Sequence, residues 1–254
     1  MRTTSSMRAL AQFKRNAGIG GARAGVAEGV LDQLTGALGR ANELAVSQSS
    51  ATANPGTRAI AKAEVDQLLA YAVGIANTKF GNEFLFGGTR SGEAPFRVPP
   101  TVADGFSALV DASNNPVDPS GEPQIEINDG QFVAPHHNGT QVFLDSDALE
   151  SLRALSTALG SNDVAGIRSS IDRLVTATDE VQTLLGEQGA RVNQIENTQN
   201  TLTAVELSLI AYRSDLRDTE VDKAMVELVG KQTLYQAAMS ATSRILGMSL
   251  ANYL

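Results

Sequence analysis

The sequence predicts a mainly α protein, an elongated antiparallel helical bundle or coiled coil carrying a small β-rich insert. Three observations predict it. Small and medium apolar residues recur by alternate threes and fours over most of the chain, the spacing of one helix face. Aromatics make up only 5% of the 254 residues and Trp is absent, which suits helices packed through small side chains better than an aromatic-lined pocket. Between residues 87 and 145 the texture changes to Gly, Pro, Asp and Asn around short alternating runs.

The first arm, residues 1–86, is periodic from about residue 18 to residue 80. Ala24, Ala27, Leu31, Leu34, Leu38, Ala41, Ala45 and Gln48 form a heptad-like seam. Gly18, Gly20, Gly21 and Gly25 weaken the start of this helix, at roughly 1 kcal/mol each against Ala. SSATANPGT at 49–57 interrupts the seam, and Asn54-Pro55 supplies an N-cap and first-turn proline for a second helix. That helix carries Ala61, Val65, Leu68, Ala72, Ile75 and Lys79. The run NEFLFGGTRSGEAPF at 82–96 then closes the arm: Phe84 and Phe86 anchor the helix end, Gly87-Gly88 give a left-handed cap, and Pro95 blocks resumption.

The insert, residues 87–145, is expected to hold short strands at Gln124–Asn128 and Thr140–Leu144, with Asn128-Asp129-Gly130 as a tight turn between them. Residues 146–218 return as helices. Ser146-Asp147 is the expected cap of a helix through Leu149, Leu152 and Leu155, which Gly160-Ser161-Asn162 ends. A further helix from about Asp163 carries Ile167, Ile171, Leu174, Val175, Val181, Leu185, Gln188, Val192 and Ile195, continued with a phase slip by Thr198, Leu202, Val205, Leu209 and Tyr212. Asp218-Thr219-Glu220 reads as the cap of a last helix, 219–254, with its own seam through Val221, Met225, Leu228, Gln232, Tyr235, Met239, Thr242 and Leu246. A stripe of that length needs partner helices, from this chain or another.

Chemistry finds little purchase. The net charge of −8 and pI near 4.8 disfavour nucleic acid, whose binders need a basic surface. No cysteine exists, so disulfides, thiolate catalysis and cysteine metal sites are excluded. No apolar run of about 18 residues could cross a membrane, and the polar, basic start MRTTSSMRALAQFKRN is no cleavable secretory signal. The glycine cluster at 87–92 lacks the preceding strand and the Lys-Ser/Thr of a phosphate loop. His136-His137, the only histidines, read as a solvated turn rather than a ligand pair. Asp215, Asp218, Glu220 and Asp222 alternate with Arg213, Arg217 and Lys223, the pattern of an exposed ion-paired face. The expectation is a protein that is not an enzyme, with no catalytic, cofactor or metal residues.

Particular residues also carry a resemblance. Gly189-Ala190-Arg191 followed by Asn193, the run Ser214–Glu220, Gln232, Gln236-Ala237-Ala238, Ile245-Leu246 and the ending Ser249–Leu254 together make residues 186–254 resemble the C-terminal region of the flagellin superfamily. Leu85-Phe86-Gly87-Gly88-Thr89 with Pro95-Phe96 is similar to a segment of the hook-associated protein 3 family, the hook–filament junction proteins. Phe13-Lys14-Arg15-Asn16 and Arg40–Ala45 are similar to that family's N-terminal helical region. Members usually begin with a further long helix. This chain starts near the second half of that region, and Ser5–Leu10 echo its end.

The resemblance implies a structural subunit of the bacterial flagellum that works by packing, extracellular, and exported by the flagellar type III route without a cleavable signal. The implied partners are other copies in a ring, other hook-associated proteins, flagellin and an export chaperone. The expected subunit interface is Val221, Met225, Leu228, Tyr235, Met239, Ile245, Leu246 and Leu250 on the terminal assembly helix. Flagellin itself is the near alternative, and a cytoplasmic coiled-coil adaptor with a β ligand-binding insert the more distant one.

Overall fold

Four helices carry the seams read from the sequence. The computed structural model describes residues 2–50, 52–88, 91–92, 94–96 and 121–251, with side chains at all of these except 2–4, 216–220 and 246–251. Helix α1 runs Arg2–Gln48 and α2 runs Pro55–Ala76. Two short hairpins follow: β1 (Lys79–Phe80) with β2 (Glu83–Phe84), then β3 (Ile125–Asn128) with β4 (Gln131–Val133), both antiparallel. A π-helical turn (Thr140–Asp145), α3 (Ala148–Gly160) and α4 (Val164–Ala251) complete the order. By contacts the chain divides into a compact body, Ala11–Thr201, and a second unit of Met1–Leu10 with Leu202–Leu254.

The body is built on small-residue seams. Ala27, Leu31, Leu34, Leu38, Ala41 and Ala45 of α1 join Ala61, Val65, Leu69, Ala72 and Ala76 of α2 in one core. Leu149, Leu152, Leu155 and Leu159 of α3 and Ile167, Leu174, Ala177 and Val181 of α4 complete it. Alanine at so many contact positions lets backbones approach closely, so packing density rather than side-chain bulk does the burying. The glycines of α1 continue this logic where α4 crosses. A Cβ on Gly21 would meet the Gln199 amide nitrogen at 3.0 Å, and one on Gly20 would meet Ile125 Cδ1 at 3.3 Å. Gln199 Nε2 also donates to the Ala17 carbonyl at 2.8 Å. Helix α1 runs from Arg2, earlier than the periodic signal at residue 18 suggests.

The interhelical turns are fastened by polar groups. Asn54 and Thr57 form a reciprocal capping box at α2, with Thr57 N donating to Asn54 Oδ1 at 3.0 Å and Asn54 N donating to Thr57 Oγ1 at 3.1 Å. Arg58, buried at 4% exposure, donates to the carbonyls of Gln48 (3.2 Å) and Ser50 (3.3 Å) and to the Asn162 side chain. It thus caps the carbonyl end of α1 and ties the α1–α2 turn to the α3–α4 turn, its charge facing the negative end of a helix.

Four local expectations fail for identifiable reasons. Helix α2 stops at Ala76, so Gly87-Gly88 do not cap it. The chain instead turns at Gly81-Asn82, where Gly81 takes φ +64°, pairing Lys79 with Phe84. Thr140–Leu144 is helical, not a strand, and the partner of β3 across Asp129-Gly130 is Gln131–Val133. Asp147 stands at the start of α3 with φ +58° and no side-chain cap of its own, and the expected pair acts only through Ser146 Oγ, which accepts from Ala148 N at 3.3 Å. The Asp147 carboxylate is bound by Arg173 through two bonds, 2.9 and 2.8 Å. Helix α4 runs through Asp218-Thr219-Glu220 without a break, because a capping triplet has no effect where the preceding turn stays helical.

Candidate functional site

The residues that could act on something outside the chain lie on the C-terminal part of α4. Val221, Met225, Leu228, Tyr235, Met239 and Ile245 are all between 52% and 69% exposed. Spaced by fours and threes, Val221, Met225, Leu228, Gln232, Tyr235 and Met239 form one stripe free of charge. Asp222, Lys223, Glu227 and Lys231 lie off it, and Glu227 pairs with Lys231 one turn on at 2.8 Å. Val226, Val229 and Leu234 add exposed apolar surface outside the stripe. The side chains of Leu246 and Leu250, expected in the same interface, lie outside the described residues, as do those of Asp218 and Glu220. An uncharged apolar stripe of this length left exposed is a feature that the interior of a single chain does not explain.

The residues of the expected boundary have a different role. Phe84 belongs to β2 with Lys79 Nζ 4.5 Å above its ring. Phe86 is buried and meets Phe143 edge-on, ring centroids 5.2 Å apart, while Phe96 meets the same ring at 5.2 Å from another side. Pro95 is buried beside them in sequence, and Gly88 takes φ +58°. Asn77 ties the segment to the end of α2, donating to the Phe96 carbonyl at 2.7 Å and accepting from Phe96 N at 3.0 Å. The run at 82–96 is therefore a structural hub that brings the way into the insert, the way out and α2 to one aromatic cluster. Thr89, Arg90 and Glu93, and the insert from 97 to 120, lie outside the described residues.

The histidines correct a sequence expectation. His136 and His137 are buried, not solvated, because Phe86 stands edge-on to His136 at 5.9 Å and the Arg191 side chain of α4 lies against His137. Burial pushes His136 down to about 4, helped by the charges of Arg23 and Arg191. Burial and Arg191 push His137 down too. Sequence reading also missed Arg58 and Asn77, and it placed Gln188 on the α4 seam without its hydrogen bonds to Ala24 and Pro135, remote in the chain.

No group of three or more His, Asp or Glu among the described residues could hold a metal, and no helix there is long and apolar enough to cross a membrane. An open groove of about 350 Å³ between α3 and α4 is lined by Arg153, Asp163 and Arg173. Its arginines are occupied by Glu150 and Asp147.

Two family models match the chain. Residues 1–91 match the bacterial flagellin N-terminal helical region and residues 169–254 match the bacterial flagellin C-terminal helical region, together more than two thirds of the sequence. The chain belongs to the flagellin superfamily. Flagellar hook-associated protein 3 of Escherichia coli K12 is 25% identical over 236 residues, 88% of this chain and 74% of that one. A flagellin of Halalkalibacterium halodurans is 26% identical over 239 residues, 93% and 74% of the two chains. The crystal structure of flagellar hook associated protein-3 from Legionella pneumophila superposes with a TM-score of 0.69 at 13% identity, covering 85% of this chain and 98% of that one. The flagellin-type N-terminal region thus ends just past the first hairpin, and the C-terminal region begins inside α4. The second hairpin, the π turn and α3 fall between the two matches.

Proposed function

We infer that this flagellin-superfamily chain is a structural subunit of the bacterial flagellum, acting at the junction of hook and filament by subunit packing. The observation that carries the reading is the charge-free, exposed stripe Val221–Met239 on the C-terminal helix of a chain similar to hook-associated protein 3 over 88% of its length. Each such side chain gains roughly 1–2 kcal/mol when its remaining exposed surface is covered, so a handful of them offsets the ordering and association costs of a helix joining neighbours. Contacts repeated head to tail without closing on themselves build a tube, and a junction subunit stops that repeat by offering unlike neighbours above and below. Copies in a ring, other hook-associated proteins and flagellin are the partners this implies, with an export chaperone covering the stripe beforehand and the type III route carrying the chain out.

The test is deletion of residues 219–254. The shortened chain is expected to remain a soluble body with the helical circular dichroism of α1–α3 and the first part of α4, yet fail to restore motility to a strain lacking the full-length gene. Restored motility with normal hooks and filaments would overturn the reading. The flagellin likeness supports a second reading, a filament subunit. Purified full-length protein growing into micrometre filaments on seeding would establish that one, whereas short, non-extending assemblies support the junction.

A further inference from the structure

A buried polar knot joins the strand leaving the insert to α1 and α4. His136 and His137 follow β4 and lead into the π turn. Gln188 of α4 reaches between them and α1, its Nε2 donating to the Ala24 carbonyl at 3.1 Å and the Pro135 carbonyl at 2.8 Å. Arg191, one turn later, donates to the Ala134 carbonyl and to His137 Nδ1, each at 3.4 Å. Arg23 of α1 completes the ring and pairs with Glu83 of β2. Buried side-chain atoms without a hydrogen-bond partner collect here: Arg23 Nε, His136 Nε2 and Gln188 Oε1.

The geometry fixes the protons. His136 Nδ1 lies 2.9 Å from the His137 carbonyl, which only accepts, so Nδ1 bears the hydrogen and Nε2 is bare. His137 Nδ1 faces the Arg191 guanidinium, which only donates, so there Nδ1 is bare and Nε2 carries the hydrogen toward Glu187 Oε2, 3.4 Å away. Both rings are therefore neutral. A proton on His136 Nε2 would be a buried cation with no acceptor beside Arg23 and Arg191. A proton on His137 Nδ1 would set donor against donor at Arg191. The acidic groups in reach are Glu187 of α4, which is half exposed, Glu122 ahead of β3, and Glu83, already taken by Arg23. None faces His136 Nε2.

We propose that His136 and His137 form an acid-sensitive latch that holds residues 131–147, the return from the insert, onto α1 and α4, and that protonating either ring opens it while the helical body stays folded. The sign follows from the neutral closed state. Above about pH 6.5 neither the closed nor the open state takes up protons at these rings, and the latch is at full strength. As pH falls the open state binds protons that the closed state refuses, so closure weakens from about pH 6.5 downward, and for His136 the loss levels off only near its folded value of about 4. Between pH 7.5 and 4.5 the opening equilibrium of the segment should rise between about 10- and 100-fold.

The experiment is hydrogen exchange of the full chain by mass spectrometry at pH 7.5, 6.0 and 4.5, corrected for intrinsic exchange rates. It compares peptides covering 131–147 with peptides covering 27–45 of α1. The expected result is a loss of protection in 131–147 of about 10-fold or more, with less than about 3-fold change in 27–45. In the double variant His136→Phe, His137→Gln the pH dependence of 131–147 should vanish. Equal change in both regions, no change in 131–147, or unaltered pH dependence in the double variant would overturn the latch. Should the double variant not fold, NMR of the two imidazoles in the wild-type chain decides. Titration of both rings near pH 6.5 in the folded protein would sink the proposal, and titration well below it would support it.

Discussion

Helix α4 holds two versions of one pattern. Between residues 167 and 195 the seam Ile167, Leu174, Val181, Gln188 and Ile195 is buried, and from 221 to 245 the equivalent seam is exposed. Both seams repeat at heptad spacing along the same helix. The difference is that the first half has α1, α2 and α3 against it and the second lacks such cover. Periodicity therefore states what a helix requires of its surroundings, and only the fold shows whether the same chain provides it. Under the proposed packing role, the exposed half is the one offered to neighbouring subunits.

The comparison makes unequal demands on the two regions, and the largest contrast is at aromatic positions. Phe143→Ala removes the ring at the centre of the Phe86–Phe96 cluster, fully buried, and should cost about 3–5 kcal/mol of body stability in urea unfolding. Tyr235→Ala in the exposed seam should leave the body's unfolding midpoint within about 0.5 kcal/mol and instead reduce assembly and motility. If Tyr235→Ala destabilised the isolated chain as Phe143→Ala does, the seam would already be satisfied within one molecule.

What was legible in the sequence follows the same division. The seams of α1 and α2, the Asn54 cap and the end of α3 at Gly160 could be read because the signals are local and the partners lie a few residues away. The Gly81-Asn82 hairpin carried its own signal, a two-residue glycine turn between aromatic-containing pairs, masked by the more prominent Gly87-Gly88. Thr140–Asp145 could not be read, since Val142-Phe143-Leu144 is too short for period two and period three-and-a-half to be told apart. The buried histidines were illegible for a further reason. Polar residues next to Pro and Gly are normally surface turns, and the Phe86 ring and Arg191 that cover them come from positions about 50 residues away on either side. The terminal seam was legible as a demand that a neighbouring subunit, rather than this chain, would meet, and its side chains are exposed.

A second contrast sets one buried cation against an exposed one. Arg58→Met keeps most of the side-chain volume but leaves the Gln48 and Ser50 carbonyls and the Asn162 side chain without their donor. The expected loss is about 1–3 kcal/mol in thermal unfolding. Lys231→Met removes only the surface pair with Glu227 and should change stability by no more than a few tenths of a kcal/mol. A neutral outcome for Arg58→Met would mean that the two interhelical turns hold without their shared cap.

The smallest effects test whether the terminal helix shares the body's cooperativity. Gly36 in α1 and Gly230 in α4 both sit mid-helix with nothing within 4 Å of an added Cβ, so each substitution by Ala is sterically free and reduces the entropy of the unfolded chain. Gly36→Ala should stabilise the body by about 0.5–1 kcal/mol and raise its melting temperature by a few degrees. Gly230→Ala should have the same local effect on the helix, yet the body's transition should not move, because the residues around it contribute no burial to that core. Its gain should appear as higher helical ellipticity at low temperature and a lower concentration threshold for assembly, since less ordering entropy is left to lose on joining a neighbour. A shift of the main unfolding transition by Gly230→Ala equal to that by Gly36→Ala would place both halves of α4 in one cooperative unit and remove the distinction between them.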